Sequence, residues 1–253
     1  VMLEVGLCVF AYVIVLTIET APPFLEKFGM KNALARLDKI LFLVIAVGVL
    51  LPFMHQSSLG SLLIAVGDKV HPLWQANEMM PVLALSSAIA MGFSIVIFES
   101  ALSSLGLKHP MDRSLLAGLA PLMSGLLGFW LVVRLGELLL AGKLAAIFTS
   151  GWLSLSFLVE IALFAYPLAV LLSPANRKRG RVLFVAALAM LLGGAVWRMN
   201  AFLFAFQPGP GYSYFPSTGE LLVTVGLVAF EILAFIVLVK RFPILSSHRH
   251  QAA

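Results

Sequence analysis

The chain has 253 residues, 61% of them hydrophobic and 11% charged, with a mean hydropathy of +1.03 and a formal net charge of +5. Its apolar residues run in long blocks without an amphipathic period, which excludes a water-soluble globular domain and makes the positive charge a topology signal, not a nucleic-acid footprint. The single cysteine, Cys8, excludes an intrachain disulfide and the usual set of thiolates of an iron–sulfur cluster.

A membrane span requires roughly 20 consecutive, mostly apolar residues. In chain order seven stretches qualify, at about 1–20, 40–59, 82–105, 115–140, 152–172, 182–206 and 221–240. Runs of this length are not the short alternating strands of an outer-membrane barrel. The expected fold is therefore an all-α integral membrane protein, a polytopic transmembrane helix bundle forming a single domain over residues 1–253. The first stretch opens without a polar leader or the n-region of a signal peptide, so further helices upstream are expected.

Lysine and arginine alternate between loops. Four lie between the first two spans (Lys27, Lys31, Arg36, Lys39), two after the third (Lys108, Arg113), four after the fifth (Arg177, Lys178, Arg179, Arg181) and three at the C-terminus (Lys240, Arg241, Arg249). The alternate loops hold only Lys69 and Lys143. By the positive-inside rule the first set is cytoplasmic, and Trp74, Trp152, Tyr212 and Tyr214 then mark the outer interface.

The second span ends in "HQSSLGS", His55 to Ser61, which places an imidazole, an amide and hydroxyls at its outer end. Gln56, Ser57 and Ser58 beside His55 suit the edge of an apolar cavity for a flat apolar ligand with two carbonyl oxygens. A plainer reading is a helix terminus whose hydroxyls bond free carbonyls.

Ionisable side chains inside spans cost a few kcal/mol each on insertion scales, and this chain has many. At about 1.5 Å rise per residue, His55, Arg134, Glu137, Glu160 and Arg198 fall in the outer half, and Glu231 lies near mid-depth. Glu99 and Glu19 lie towards the cytoplasmic face, and Glu4 at the outer end of the first span. Structural pairing is one reading, with Arg134 held by Glu137 three residues along its helix and Arg198 holding Glu160. Two arginines do not neutralise Glu19, Glu99, Glu137, Glu160 and Glu231, so some acids are expected to be protonated or wet, as a proton route requires. The route so read comprises Glu4, Glu19, Glu99, Glu137, Glu160 and Glu231.

The outer loops Gly67 to Pro81 and Gln207 to Glu220 are rich in Pro, Gly and aromatic residues, and are read as docking surfaces for a partner. Of the histidines His55, His71, His109, His248 and His250, only His55 lies in a span. No transmembrane histidine pair is available, so neither haem nor a bound metal is expected.

Together "MHQSSLGSLL", "KVHPLWQ", "MGFSIVIFES", "LVVRLGELLLAGKL", "WRMNAFLFAFQPGPGYSYFP" and "VGLVAFEI" resemble the NrfD-like (polysulfide reductase membrane subunit) family, and within it the HybB-type membrane subunits of uptake nickel–iron hydrogenase-2. The resemblance runs through essentially the whole chain. It implies a bacterial inner-membrane subunit that passes electrons from a periplasmic ferredoxin-like iron–sulfur subunit, fed by the hydrogenase small and large subunits, to menaquinone or ubiquinone. In that setting His55, Glu137 and Glu160 take catalytic roles. His55, Gln56, Ser57, Ser58, Arg134 and Arg198 hold or support the quinone, and the acids carry protons. An ion-coupled secondary transporter and a purely structural membrane anchor are the alternatives.

Overall fold

The computed structural model describes residues 2–75, 78–106, 113–212 and 214–242. Lys108, His109, His248, Arg249 and His250, together with Ala76, Asn77 and Ser213 of the two stretches read as docking loops, lie outside the described residues. The described residues are helical, with a single isolated bridge between Val70 and Phe206 as their only β pairing. Seven helical stretches are long and apolar enough to cross a membrane, as expected.

The helices, in chain order, are α1 (Met2–Glu19), α2 (Ala21–Lys27), α3 (Lys31–Ala65), α4 (Met80–Gly106), α5 (Arg113–Leu140), α6 (Ala146–Thr149), α7 (Trp152–Leu171), α8 (Pro174–Arg177), α9 (Gly180–Met199) and α10 (Thr218–Arg241). The seven spans are α1 with α2, α3, α4, α5, α7, α9 with its continuation to Phe204, and α10. Pro52, Pro121 and Pro167 lie inside α3, α5 and α7. Helical serines of α4 and α5 bond back one turn, Ser94 to the Ala90 carbonyl and Ser124 to that of Ala120, which hides their hydroxyls from the apolar surroundings.

One expectation fails here. The stretch His55 to Ser61 is not the end of a helix: α3 runs on to Ala65, and Ser61 bonds the Ser57 carbonyl at 3.0 Å within the continuous helix. The polar cluster interrupts the hydropathy without interrupting the backbone ladder.

The chain divides into two compact units. The first, residues 56–214, is built around a ring of four helices in which α4 packs on α5, α5 on α7, α7 on α9, and α9 closes on α4. Small residues let α9 approach its neighbours, as apolar packing in lipid favours. A Cβ at Gly193 would lie 3.1 Å from Leu163 and Phe164 of α7, and one at Gly194 would collide with Met91 of α4. The interior is filled by Trp130, Trp197 and Phe164, with Trp130 stacked on Phe164 at 3.8 Å and edge-on to Trp197. In this unit the last turns of α3 lie against the start of α4, where a Cβ at Gly60 would be 2.5 Å from Pro81 Cα.

The second unit comprises residues 2–55 and 215–253 and contains α1, α2, the first part of α3 and α10. Its α10 starts at a capping box, in which Ser217 Oγ accepts the Glu220 N–H and Glu220 accepts the Ser217 N–H at 2.6 Å. Lys27 donates to the Arg241 carbonyl at 2.9 Å and lies 4.2 Å over the Phe242 ring. The Glu19 carboxylate lies against Gly48 of α3, where a Cβ would be 2.7 Å away.

Candidate functional site

Helical spacing aims a set of polar side chains into the four-helix ring. On α5, Trp130 and Arg134 share a face at i, i+4; on α7, Phe157, Glu160 and Phe164 do so at i, i+3, i+7; on α9 and its continuation, Trp197 and Asn200 are three apart. All of these side chains are buried, Arg134 at 1% exposure and Glu160 and Asn200 at 0%.

Arg134 Nε faces Glu160 Oε1 at 3.7 Å, an ion pair without a direct hydrogen bond between those two atoms. The other carboxylate oxygen, Oε2, accepts two hydrogen bonds at 2.8 Å, from the indole N–H of Trp74 and from the Asn200 amide. Asn200 in turn accepts from the Ser156 hydroxyl at 2.6 Å. The guanidinium donates to the Leu73 carbonyl at 2.6 Å and lies 5.4 Å from the Phe157 ring. Each of these contacts of Glu160 is with a hydrogen-bond donor or a cation, partners that suit the acceptor oxygens of a carboxyl group.

Two of these partners come from the loop between α3 and α4, which is folded as a plug over the ring. The His71 N–H donates to the Ala205 carbonyl at 2.7 Å and the Gln207 N–H to the Lys69 carbonyl at 2.6 Å, flanking the Val70–Phe206 bridge. The His71 carbonyl accepts the N–H groups of Trp74 and Gln75, both at 2.8 Å, so the turn closes and delivers Leu73 and Trp74 inward. Lys143 holds the far side of the plug through Gln75 Oε1 at 2.6 Å. This corrects the expectation of an exposed aromatic docking loop at Gly67 to Pro81: Leu73 and Trp74 are fully buried, and Trp74 is an internal ligand of Glu160. In the stretch Gln207 to Glu220, Tyr212 and Phe215 are exposed as expected.

Arg198 makes a different set of contacts. It donates to Gln56 Oε1 at 3.1 Å, to the Gly194 carbonyl at 3.1 Å and to the Met91 sulfur at 3.0 Å. The expected pairings, Arg134 with Glu137 and Arg198 with Glu160, are therefore replaced. Arg134 takes Glu160, and Arg198 has no carboxylate within ion-pair distance among the described residues. The reason is helical phase: Trp197 and Asn200 face the interior, and Arg198, turned about 100° from Trp197, looks away from it. A cleft of about 260 Å³ opens beside it, lined by Leu59, Arg198, Met199, Phe202 and Leu203.

The remaining predicted residues are scattered. Glu137 is half-buried, takes the Met79 backbone N–H and leaves Oε1 buried without a partner. Ser57 is half-buried and Ser58 is buried on α3. Glu99 is exposed on α4 and does not join the Arg134 cluster. In the second unit Glu4 and Glu231 are likewise exposed, Glu19 is half-buried, and His55 has a buried Nδ1 without a hydrogen-bond partner. Sequence reasoning missed Asn200, Ser156 and Met91 altogether. The available signal was "WRMN", where Asn200 is a second polar residue beside Arg198 in an otherwise apolar helix.

A ring of membrane-spanning helices around a buried ion pair, with an arginine at an apolar cleft that has no carboxylate partner among the described residues, defines a polytopic membrane protein with a polar interior. Over 261 residues, covering all of this chain and 67% of the relative, it is 46% identical to the probable Ni/Fe-hydrogenase 2 b-type cytochrome subunit of Escherichia coli K12. A protein of Nitratidesulfovibrio vulgaris Hildenborough is 32% identical over 259 residues, 97% of this chain and 65% of that one. The chain belongs to the family of Ni/Fe-hydrogenase 2 b-type cytochrome subunits. It spans about two thirds of the length of these relatives. No family model and no solved structure matches it.

The expectation that no haem is carried is overturned by the first relative's name, which denotes a b-type haem subunit. That expectation counted histidine pairs in these spans and so tested one ligand set only. The described imidazoles are His55 and His71, one in each unit, and no group of three or more His, Cys, Asp or Glu side chains among the described residues is placed to hold a metal ion. Within either unit the described residues do not by themselves form a bis-histidine ligand set.

Proposed function

We propose that this chain is the quinone-binding membrane subunit of a respiratory nickel–iron hydrogenase complex in a bacterial inner membrane. It passes electrons from a periplasmic iron–sulfur subunit, fed by the hydrogenase small and large subunits, to menaquinone or ubiquinone. Haem belongs to this reading in line with the relative's name.

The observation that carries the reading is Arg198. A guanidinium has five N–H donors, and the contacts with Gln56, Gly194 and Met91 leave capacity for a ligand oxygen. It stands at an apolar cleft of about 260 Å³, room for a quinone head with Met199, Phe202 and Leu203 against its rings. Reduction of a quinone takes two electrons and two protons and gives the quinol. As electrons arrive, charge develops on a carbonyl oxygen, and a fixed guanidinium beside it stabilises that charge without reorganisation. Gln56 holds Arg198 in place. Ser57 and Ser58 follow Gln56 on α3, and His55, the residue before Gln56 in sequence, with its unpartnered Nδ1, is the proton donor or acceptor of this reading. Glu137 and Glu160, with Arg134 between them, and Glu4, Glu19, Glu99 and Glu231 supply protons, with uptake from the cytoplasm.

The test is Arg198→Met in the assembled complex. Hydrogen-to-quinone turnover falls by about 100-fold, the scale of a lost electrostatic donor. Hydrogen oxidation with an artificial dye, which takes its electrons upstream, is unchanged. Full quinone turnover in the variant, or a parallel loss of dye activity, overturns the assignment.

A further inference from the structure

At the end of α9 the helix widens into a π turn, Asn200–Phe204, a rare local geometry that re-aims side chains and recurs at functional sites. Its first residue, Asn200, is fully buried and spends its amide on two neighbours of α7. Nδ2 donates to Glu160 Oε2 at 2.8 Å and Oδ1 accepts from Ser156 at 2.6 Å. The Ser156 hydroxyl donates to Oδ1 while the Ser156 backbone carbonyl, which can only accept, takes Nδ2 at 3.4 Å, and these two contacts together set which end of the amide faces Glu160. The flanking residues Arg198, Met199, Phe202 and Leu203 line the cleft on the other side of the same short segment.

We propose that Asn200 is a positioning residue for Glu160 in quinone reduction. It holds the carboxylate with Oε2 towards Trp74 and Oε1 towards Arg134, so that the buried charge has one orientation. Without that amide the carboxylate keeps its cation and the Trp74 bond but loses one of its two hydrogen bonds and with it part of its restraint. The inference rests on the quinone reading for its functional part and on geometry alone for its structural part.

The experiment uses the whole complex in two measurements. The first is the infrared carboxylate band of Glu160, located by subtracting the spectrum of Glu160→Gln. In Asn200→Ala that band shifts, and in Ser156→Ala, where the amide stays but loses its orienting donor, it shifts the same way by less. The second is steady-state kinetics. Asn200→Ala lowers the quinone kcat about 10-fold with KM within about 2-fold of the unaltered value, because the Arg198–Gln56 contacts remain. An unchanged Glu160 band in both variants overturns the proposal. If Asn200→Ala does not accumulate, Ser156→Ala decides it alone, and an unchanged band there overturns the proposal. A shifted band with undiminished quinone turnover overturns the role in quinone reduction, even though Asn200 still orients Glu160. A quinone defect confined to Arg198→Met then still supports the cleft, whereas a normal Arg198→Met as well overturns the quinone reading itself.

Discussion

Trp74 donates its indole N–H to Glu160 across 86 positions of sequence, at 2.8 Å and with both side chains excluded from solvent. A residue of the loop between α3 and α4 is thereby a structural ligand of the buried acid, and the plug and the helical ring become one cooperative object. Trp74→Phe keeps an aromatic ring against Phe157, whose ring lies 5.8 Å away, but removes the hydrogen bond to a charged group. The expected loss is about 1.5–3 kcal/mol of stability, read as a lowered unfolding midpoint in mixed micelles. A neutral substitution that instead weakened partner binding would return Trp74 to the docking role expected from sequence.

Arg134 and Glu160 are the second stability prediction. Removing either partner leaves a charge buried in the ring, at a cost of about 3–5 kcal/mol. Arg134→Leu and Glu160→Gln are each expected to destabilise strongly, and the double variant by much less than the sum. A double-mutant cycle on unfolding midpoints measures this coupling, and additive effects would show that the pair is not coupled.

The seven spans were legible because a span is a matter of composition and length, both of which the sequence states directly. Inner detail was less so. The polar run from His55 to Ser61 reads as a terminus to any hydropathy argument, yet a helix carries serines through a turn by bonding them back to its own carbonyls, as Ser61 does. The partner of each arginine depends on helical phase, which aims Arg134 at Glu160 and Arg198 at Gln56 and Met91. Trp74 looked like an interface aromatic because nothing in "HPLWQ" shows that Ala205 and Gln207 pin the loop inward. Asn200 reaches Glu160 from the π turn, a backbone feature without a sequence signature.

Gly60 offers a test of packing. Its Cα lies so close to the start of α4 that a Cβ would sit 2.5 Å from Pro81 Cα and 2.8 Å from the Met80 carbonyl oxygen, both backbone atoms that do not yield as a side-chain tip does. Gly60→Ala is expected to cost about 1–3 kcal/mol through forced backbone displacement. Gly125→Ala, with nothing within 4 Å, serves as the control and is expected to be neutral or slightly stabilising. Equal midpoints for the two variants would mean that α3 and α4 separate there at no cost.

His71 gives the plug a pH dependence. Its Nδ1 accepts the Leu73 N–H at 3.3 Å, which requires that nitrogen to be unprotonated, and burial lowers its pKa from the ordinary 6.5. In the window between the lowered folded value and 6.5 the unfolded chain binds more protons than the folded one, so stability rises with pH there. Above that window His71 is neutral in both states and contributes no slope; as pH falls through it, stability is progressively lost. Protonation also removes the acceptor that orients Leu73, whose carbonyl holds Arg134. Unfolding midpoints measured from pH 7.5 down to about 5 should therefore fall, and His71→Asn should flatten that slope in proportion to the single histidine it removes. An identical slope in the variant would assign the pH dependence to other groups and leave His71 as a spacer in the turn.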